Sequence, residues 1–321
     1  MNTKIIHPPV TSQTITAANP MEGLALLRAV GNTPLLPLRR VTKEISPDVQ
    51  VYAKAEWFNP GGSVKDRPAF NIIRTAVNEC QLLPGMRLLD STSGNMGIAY
   101  ATFGAALDIP VTLVLPSNAS PERIAILRAL GAELVLTDPL EGSDGSIRVA
   151  RRMAAENPDL YFYANQYDNP ANWQAHYRTT GPEIIDQTGG TVTHFVAGLG
   201  TSGTLTGVAK YLREYNPEIQ IIAAQPDSAF HGLEGLKHMP TAIKPGIFDP
   251  NLPDRTLEIS TEKAYTMVAR LAREEGYFVG ISSGAAAVAA LQVAGELEHG
   301  VVVTVFPDAG YKYLSDEKLW K

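Results

Sequence analysis

The chain has 321 residues, 45% hydrophobic and 19% charged, enough to bury a sizeable core and to form about two domains. Its 27 basic and 33 acidic residues give a net charge of −6 without long blocks of one sign, which argues against a nucleic-acid-binding surface. A single cysteine, Cys80, excludes an intrachain disulfide and a thiolate metal cluster. The six histidines show no metal-ligand spacing, and His231 and His238 lack a third ligand, so no metal is expected.

The first twenty residues lack the apolar core of a secretory signal. Along the chain, short apolar runs alternate with amphipathic stretches. Strands are expected at 51–55, 87–90, 111–115, 132–137, 193–197, 219–224 and 301–306. Helices are expected at 64–79, 121–130 and 204–215, between those strands. This alternation predicts an α/β fold with mostly parallel sheets. The uncharged segment 277–295 is rich in alanine and glycine, and reads as a buried helix instead of a membrane span.

Four glycine-rich turns carry the chemistry, each expected where a strand ends and a helix begins. Helix N-termini there offer unpaired N–H groups and the positive end of the dipole. The first is Asn59-Pro-Gly-Gly-Ser-Val-Lys-Asp-Arg67, with Ser63 expected as N-cap and Asp66 complementing the dipole. Lys65 sits at the positive helix end, which favours the neutral amine that imine formation with an aldehyde requires. The second, Thr92-Ser-Gly-Asn-Met-Gly97, packs two hydroxyls, an amide and several N–H groups suited to a carboxylate; it would serve equally as a capping turn. The third, Gly198-Leu-Gly-Thr-Ser-Gly-Thr204, suits a single phosphate monoester. It also matches the dinucleotide pattern, but the acid expected after the next strand is displaced to Asp227. The fourth, Gly280-Ile-Ser-Ser-Gly-Ala285, offers a serine that could pair with a heteroaromatic nitrogen or cap a helix.

A phosphate cup, an imine-competent lysine and a serine for a ring nitrogen together describe pyridoxal phosphate. With these motifs, and from Gly31-Asn-Thr-Pro-Leu35 to Tyr313-Leu-Ser315, the sequence resembles the cysteine synthase branch of the β-family (fold type II) pyridoxal-phosphate enzymes. The resemblance implies two three-layer αβα domains: a large one from 1–57 plus 165–321, and a small one from 58–164. Lys65 matches the Schiff-base lysine, which also moves the proton at the substrate α-carbon. Asn95 matches the partner of the ring hydroxyl, and Ser282 the partner of the pyridine nitrogen. Gly200, Thr201, Ser202, Gly203 and Thr204 match the phosphate cup. Thr92, Ser93, Asn95 and Met96 match the loop that closes on the substrate carboxylate, with Gln166 assisting. A serine at the ring nitrogen, in place of a carboxylate, favours β-elimination over transamination.

The implied reaction makes L-cysteine from an activated serine and sulfide. A cytoplasmic homodimer and a serine acetyltransferase partner are further implications. Two departures stand out. Met96 replaces a threonine, removing one hydroxyl donor. Gln225-Pro-Asp-Ser228 replaces the arginine of relatives that accept O-phosphoserine, so the expected donor is O-acetylserine, with Lys237 and His238 a partial counterweight. Three alternatives stay open: condensation with homocysteine as in cystathionine β-synthase, a nicotinamide dehydrogenase using Gly198–Gly203, and a non-catalytic relative serving as a binding module.

Overall fold

The computed structural model describes residues 25–320 with the exception of Ser93. In chain order the elements are α1 (Ala25–Arg28), β1 (Leu35–Pro37), β2 (Val49–Ala55), α2 (Asp66–Asn78), β3 (Arg87–Ser91), α3 (Asn95–Leu107) and β4 (Val111–Pro116). They continue with α4 (Pro121–Ala129), β5 (Glu133–Thr137), α5 (Gly142–Glu156), β6 (Tyr161–Tyr163), α6 (Pro170–Arg178) and α7 (Thr180–Gln187). The remainder is β7 (His194–Gly198), α8 (Gly203–Tyr215), β8 (Gln220–Pro226), β9 (Arg255–Ile259), α9 (Thr261–Arg270), α10 (Ile281–Gly295) and β10 (Gly300–Phe306).

Two sheets organise the molecule. The larger runs β1-β2-β10-β7-β8-β9, with β1 antiparallel to β2 and every other pairing parallel. The smaller runs β5-β4-β3-β6, wholly parallel. Alternate side chains along a strand leave opposite faces. Val196 and Ile222 therefore join the core under α9 and α10, while their neighbours Phe195 and Ile221 pack with Val208 and Leu212 of α8. In the smaller sheet Leu88 packs with Ile72, Ile73 and Phe103 of α2 and α3, and Leu89 with Ala150 of α5. Each sheet is thus covered on both faces, as parallel sheets require. The result is an α/β fold of two αβα layer sets.

All seven predicted strands form, within one or two residues of the expected ends. Three strands were not anticipated: β1, β6 and β9. The segment 277–295 contributes the buried helix α10, and among the described residues no helix is long and apolar enough to cross a membrane. The fourth glycine turn departs from expectation. It follows a π-helical turn, Leu271–Glu275, and an isolated bridge between Val279 and Ala309, with no strand leading into it.

Candidate active site

A cavity of about 190 Å³ opens beside the C-terminal ends of β7 and β10 and of β3. Lys65, Thr92, Asn95, Met96, Gln166, Gly200, Thr201, Ser202, Gly203, Thr204 and Ser282 all line it. Residues from all four glycine turns thus meet in one place. Ser93 lies outside the described residues.

The first turn is built differently from the expectation. Helix α2 begins at Asp66 with Lys65 at the N-cap, and no side chain caps it. Ser63 is not the N-cap; its hydroxyl accepts the Lys65 N–H at 3.2 Å, inside the turn. The Asp66 carboxylate folds back to accept the Gly61 N–H, closing the turn. Burial raises Asp66 to about 7, against that bond and the Lys312 charge, so at neutral pH it brings only partial charge to the helix end. Gly62 has φ +76°, where a side chain is strained, and its Cβ would stand 2.5 Å from the Tyr311 hydroxyl.

Lys65 forms no ion pair among the described residues. Burial pushes its pKa below the ordinary lysine value, and the charges of Asp308 and Glu56 only partly oppose this. Desolvation, not the helix end expected from the sequence, is the foremost cause of the lowering. Either way a neutral amine becomes accessible inside the cavity.

What holds α2 in place is a buried charge network. The Glu56 carboxylate accepts Arg67 Nε at 2.7 Å and Nη2 at 2.9 Å, and the Thr33 hydroxyl at 2.7 Å. Arg67 also donates to both oxygens of Glu183, at 2.6 and 2.7 Å. Lys54, fully buried, donates to Glu183 at 2.7 Å. Two cations and two anions balance, which is the condition for burying them.

The third glycine turn, expected as the phosphate cup, sits between β7 and α8. Ser202 adopts φ +68° just before the helix, turning the N–H groups of the first turn outward as an anion-binding end. Two of its three hydroxyls are committed. Thr201 Oγ1 accepts Asn172 Nδ2 at 3.1 Å and the Gly203 N–H at 3.3 Å. Thr204 Oγ1 lies 3.3 Å from His176 Nε2. The Ser202 hydroxyl is buried with no partner among the described residues, and a phosphate oxygen would satisfy it.

His176, unremarked in the sequence, supports this cup from behind, with Nδ1 2.9 Å from the Thr180 hydroxyl. Burial, then the Arg67 charge, pushes it down from 6.5 to about 3. The native state holds it neutral, and the unfolded chain binds one more proton between those values. Stability is therefore lost as pH falls from 6.5 toward 3. Comparing unfolding free energies from urea titrations of wild type and His176→Gln should reveal an excess slope in wild type of about 1.4 kcal/mol per pH unit in that window. Parallel slopes would contradict the neutral imidazole. Asp66 and Asp90, both raised to about 7 by burial, oppose this trend equally in both proteins.

The second turn caps α3 from within. Thr92 Oγ1 accepts the N–H groups of Gly94 at 3.1 Å and Gly97 at 3.0 Å, leaving its own hydroxyl hydrogen to donate. Met96 is 2% exposed, on the cavity wall. Gln166 Nε2 donates to the Ser91 carbonyl at 2.6 Å. Asn95 is held between Asp308 and Lys312.

The cavity mouth corrects one expectation. Asp227 is exposed and absent from the lining, and the half-buried His238 is absent from it too. Besides Lys65, the charged residues in the lining are Arg123, Glu234 and Lys237, of which the sequence singled out only Lys237. Arg123 pairs with Glu234 and lies over the Tyr313 ring at 4.8 Å. Lys237 pairs with Asp144 at 3.0 Å. Each cation is matched by an acid from another segment, which no local sequence signal announces. Among the described residues no cluster of metal-ligating side chains occurs.

Comparisons with known proteins agree with this geometry. A family model described as pyridoxal-phosphate dependent enzyme matches residues 26–308. A cysteine synthase of Aquifex aeolicus is 52% identical over 295 residues, 90% of each chain. Cysteine synthase B of Pseudomonas aeruginosa is 42% identical over 89% of this chain and 94% of that one. The crystal structure of a cysteine synthase from Entamoeba histolytica matches with a TM-score of 0.87 at 37% identity, covering 96% of this chain and 94% of that one. With a family model matching residues 26–308 and a relative 52% identical over 90% of the chain, the chain belongs to the pyridoxal-phosphate dependent enzymes.

Proposed function

We propose that this enzyme makes L-cysteine by β-replacement, from O-acetylserine and sulfide. The observation that carries the reading is the meeting of Lys65, Thr92, Asn95, Met96, the 200–204 cup and Ser282 in one cavity. Lys65 would hold pyridoxal phosphate through its amine, the cup and the Ser202 hydroxyl would take the phosphate, Ser282 would meet the ring nitrogen and Asn95 the ring hydroxyl. When bound, the cofactor supplies an electron sink for negative charge at the α-carbon. Thr92, Ser93, Met96 and Gln166 hold the donor carboxylate, Met96 through its backbone since its side chain offers no donor. With its amine neutral, Lys65 would take the α-proton and later return it to the same carbon, while acetate leaves the β-carbon and sulfide adds there.

The donor assignment rests on charge at the mouth. Arg123 is paired with Glu234 and Lys237 with Asp144, so among the described lining residues neither offers an unopposed charge to a phosphate dianion. A neutral ester suits that balance. The proposal includes a large domain of 1–57 plus 165–321 and a small one of 58–164, with closure over the cleft excluding water. The resemblance supports, as part of the same reading, a cytoplasmic homodimer with serine acetyltransferase as partner.

The test is the absorption spectrum of the holoenzyme with each donor, followed by product analysis. O-acetylserine should shift the cofactor band, and sulfide should restore it with release of cysteine. A shift with O-phosphoserine alone would overturn the donor; preference for homocysteine would overturn the acceptor. A protein that stays colourless in pyridoxal phosphate would overturn the reading.

A further inference from the structure

Asp308 follows β10, is fully buried, and has no part in the steps above. Its backbone binds two of the site's turns. The Gly280 N–H donates to its carbonyl at 3.1 Å, ahead of Ser282, and an isolated bridge pairs it with Ser63, two residues before Lys65. Its side chain reaches a third turn. Oδ2 accepts Asn95 Nδ2 at 2.7 Å and the Tyr313 hydroxyl at 2.8 Å. Oδ1 is buried with no hydrogen-bond partner among the described residues. It lies so close to Gly280 that a Cβ there would stand 2.2 Å away. Glycine is required at 280 by this carboxylate and by the Tyr313 ring, 2.6 Å from the same Cβ position, since its own φ of −79° suits any residue.

Lys312 grips Asn95 from the other end. Its Nζ donates to Asn95 Oδ1 at 2.9 Å and to the Gly62 carbonyl at 2.9 Å. A carboxamide offers two N–H donors and one carbonyl acceptor. An ammonium can only donate and a carboxylate can only accept, so the amide is locked against flipping. One N–H of Asn95 is then left, on a side chain that lines the cavity.

We propose that Asp308 and Lys312 clamp the Asn95 amide so that its remaining N–H is a fixed donor to the cofactor's ring hydroxyl oxygen. Asp308 is then a positioning residue for cofactor binding, acting through Asn95. A free amide would spend part of its time presenting its carbonyl to that oxygen, and the clamp removes that cost before binding. The inference rests on the reading of Asn95 as the ring-hydroxyl partner.

The experiment is titration of the apoprotein with pyridoxal phosphate, followed by absorbance, without any amino-acid substrate. Asp308→Ala should weaken binding about tenfold, the scale of one lost hydrogen bond to a charged group. Asp308→Asn keeps an acceptor oxygen and should recover most of the affinity. The double variant Asn95→Ala/Asp308→Ala should bind no more weakly than Asn95→Ala alone, because the two act as one unit. Wild-type affinity in Asp308→Ala, or losses that multiply in the double variant, would overturn the clamp. If Asp308→Ala does not fold, Lys312→Met carries the same expectation and the same overturning results. Failure of the wild type to bind, or an Asn95→Ala variant that binds normally, would instead overturn the reading beneath it.

Discussion

Lys65→Ala should lower cysteine formation by about a thousandfold or more, the scale on which a positioned acid–base group contributes. The fold should survive, because Lys65 holds no ion pair among the described residues and its ammonium is penalised by burial. Removing a desolvated, unpaired amine strands no opposite charge. The measurements are steady-state rates with O-acetylserine and sulfide beside thermal unfolding of the same preparation. Substantial residual turnover in a well-folded variant would reject Lys65 as the group that moves the α-proton. Lost activity together with a collapsed melting transition would show instead that the lysine is structural.

The opposite pattern is expected two residues away. Arg67→Met should destabilise the protein by about 3–5 kcal/mol, the cost of removing one partner from a buried ion pair. Burial alone would raise the Glu56 carboxyl, but Arg67, with Lys54 and Thr33, brings it down to about 2. Without the guanidinium, Glu56 must be protonated or remain buried with too little compensation, and Glu183 loses two of its bonds. The sign in pH follows from the depressed value. Glu56 contributes stability above its ordinary 4.5, and that contribution fades as pH falls toward 2. Denaturant unfolding at pH 7 and at pH 4 should therefore show the gap between wild type and Arg67→Met narrowing in acid. A constant gap would mean that methionine packing, not charge, sets the loss.

Much of this was legible in the chain, and the legible part was the local part. Strands such as Val111–Pro116 are buried on both faces, so they read as apolar runs. Those that escaped notice lack that signature. Leu35–Pro37 and Tyr161–Tyr163 span only three residues each, and Arg255–Ile259 is an edge strand with three exposed positions of five. The glycine turns were readable because their backbone geometry is written into a few consecutive residues. Cup, lysine and serine could be named for that reason, while the means of holding them could not. Arg67 meets Glu183 across 116 positions, and Asn95 meets Asp308 across 213. Nothing near Asn95 announces a carboxylate so far along the chain. The same distance hid the pairing of Arg123 with Glu234, and led the sequence reading to weigh Asp227, which the fold leaves outside.

Strand β10 has a consequence for how the protein is made. It is the last strand in the described chain, yet it lies inside the larger sheet, hydrogen-bonded to β2 on one side and β7 on the other. On a ribosome, β3 to β6 can pair as soon as residue 163 has emerged, and the smaller sheet can close early. The larger sheet must wait, its halves separated by an open slot, until residues 300–306 arrive. Pairings this distant in sequence form slowly. Throughout that interval β2 and β7 present unpaired backbone edges to other nascent chains. The gap between early and late closure is the window in which a chaperone would matter most to this protein.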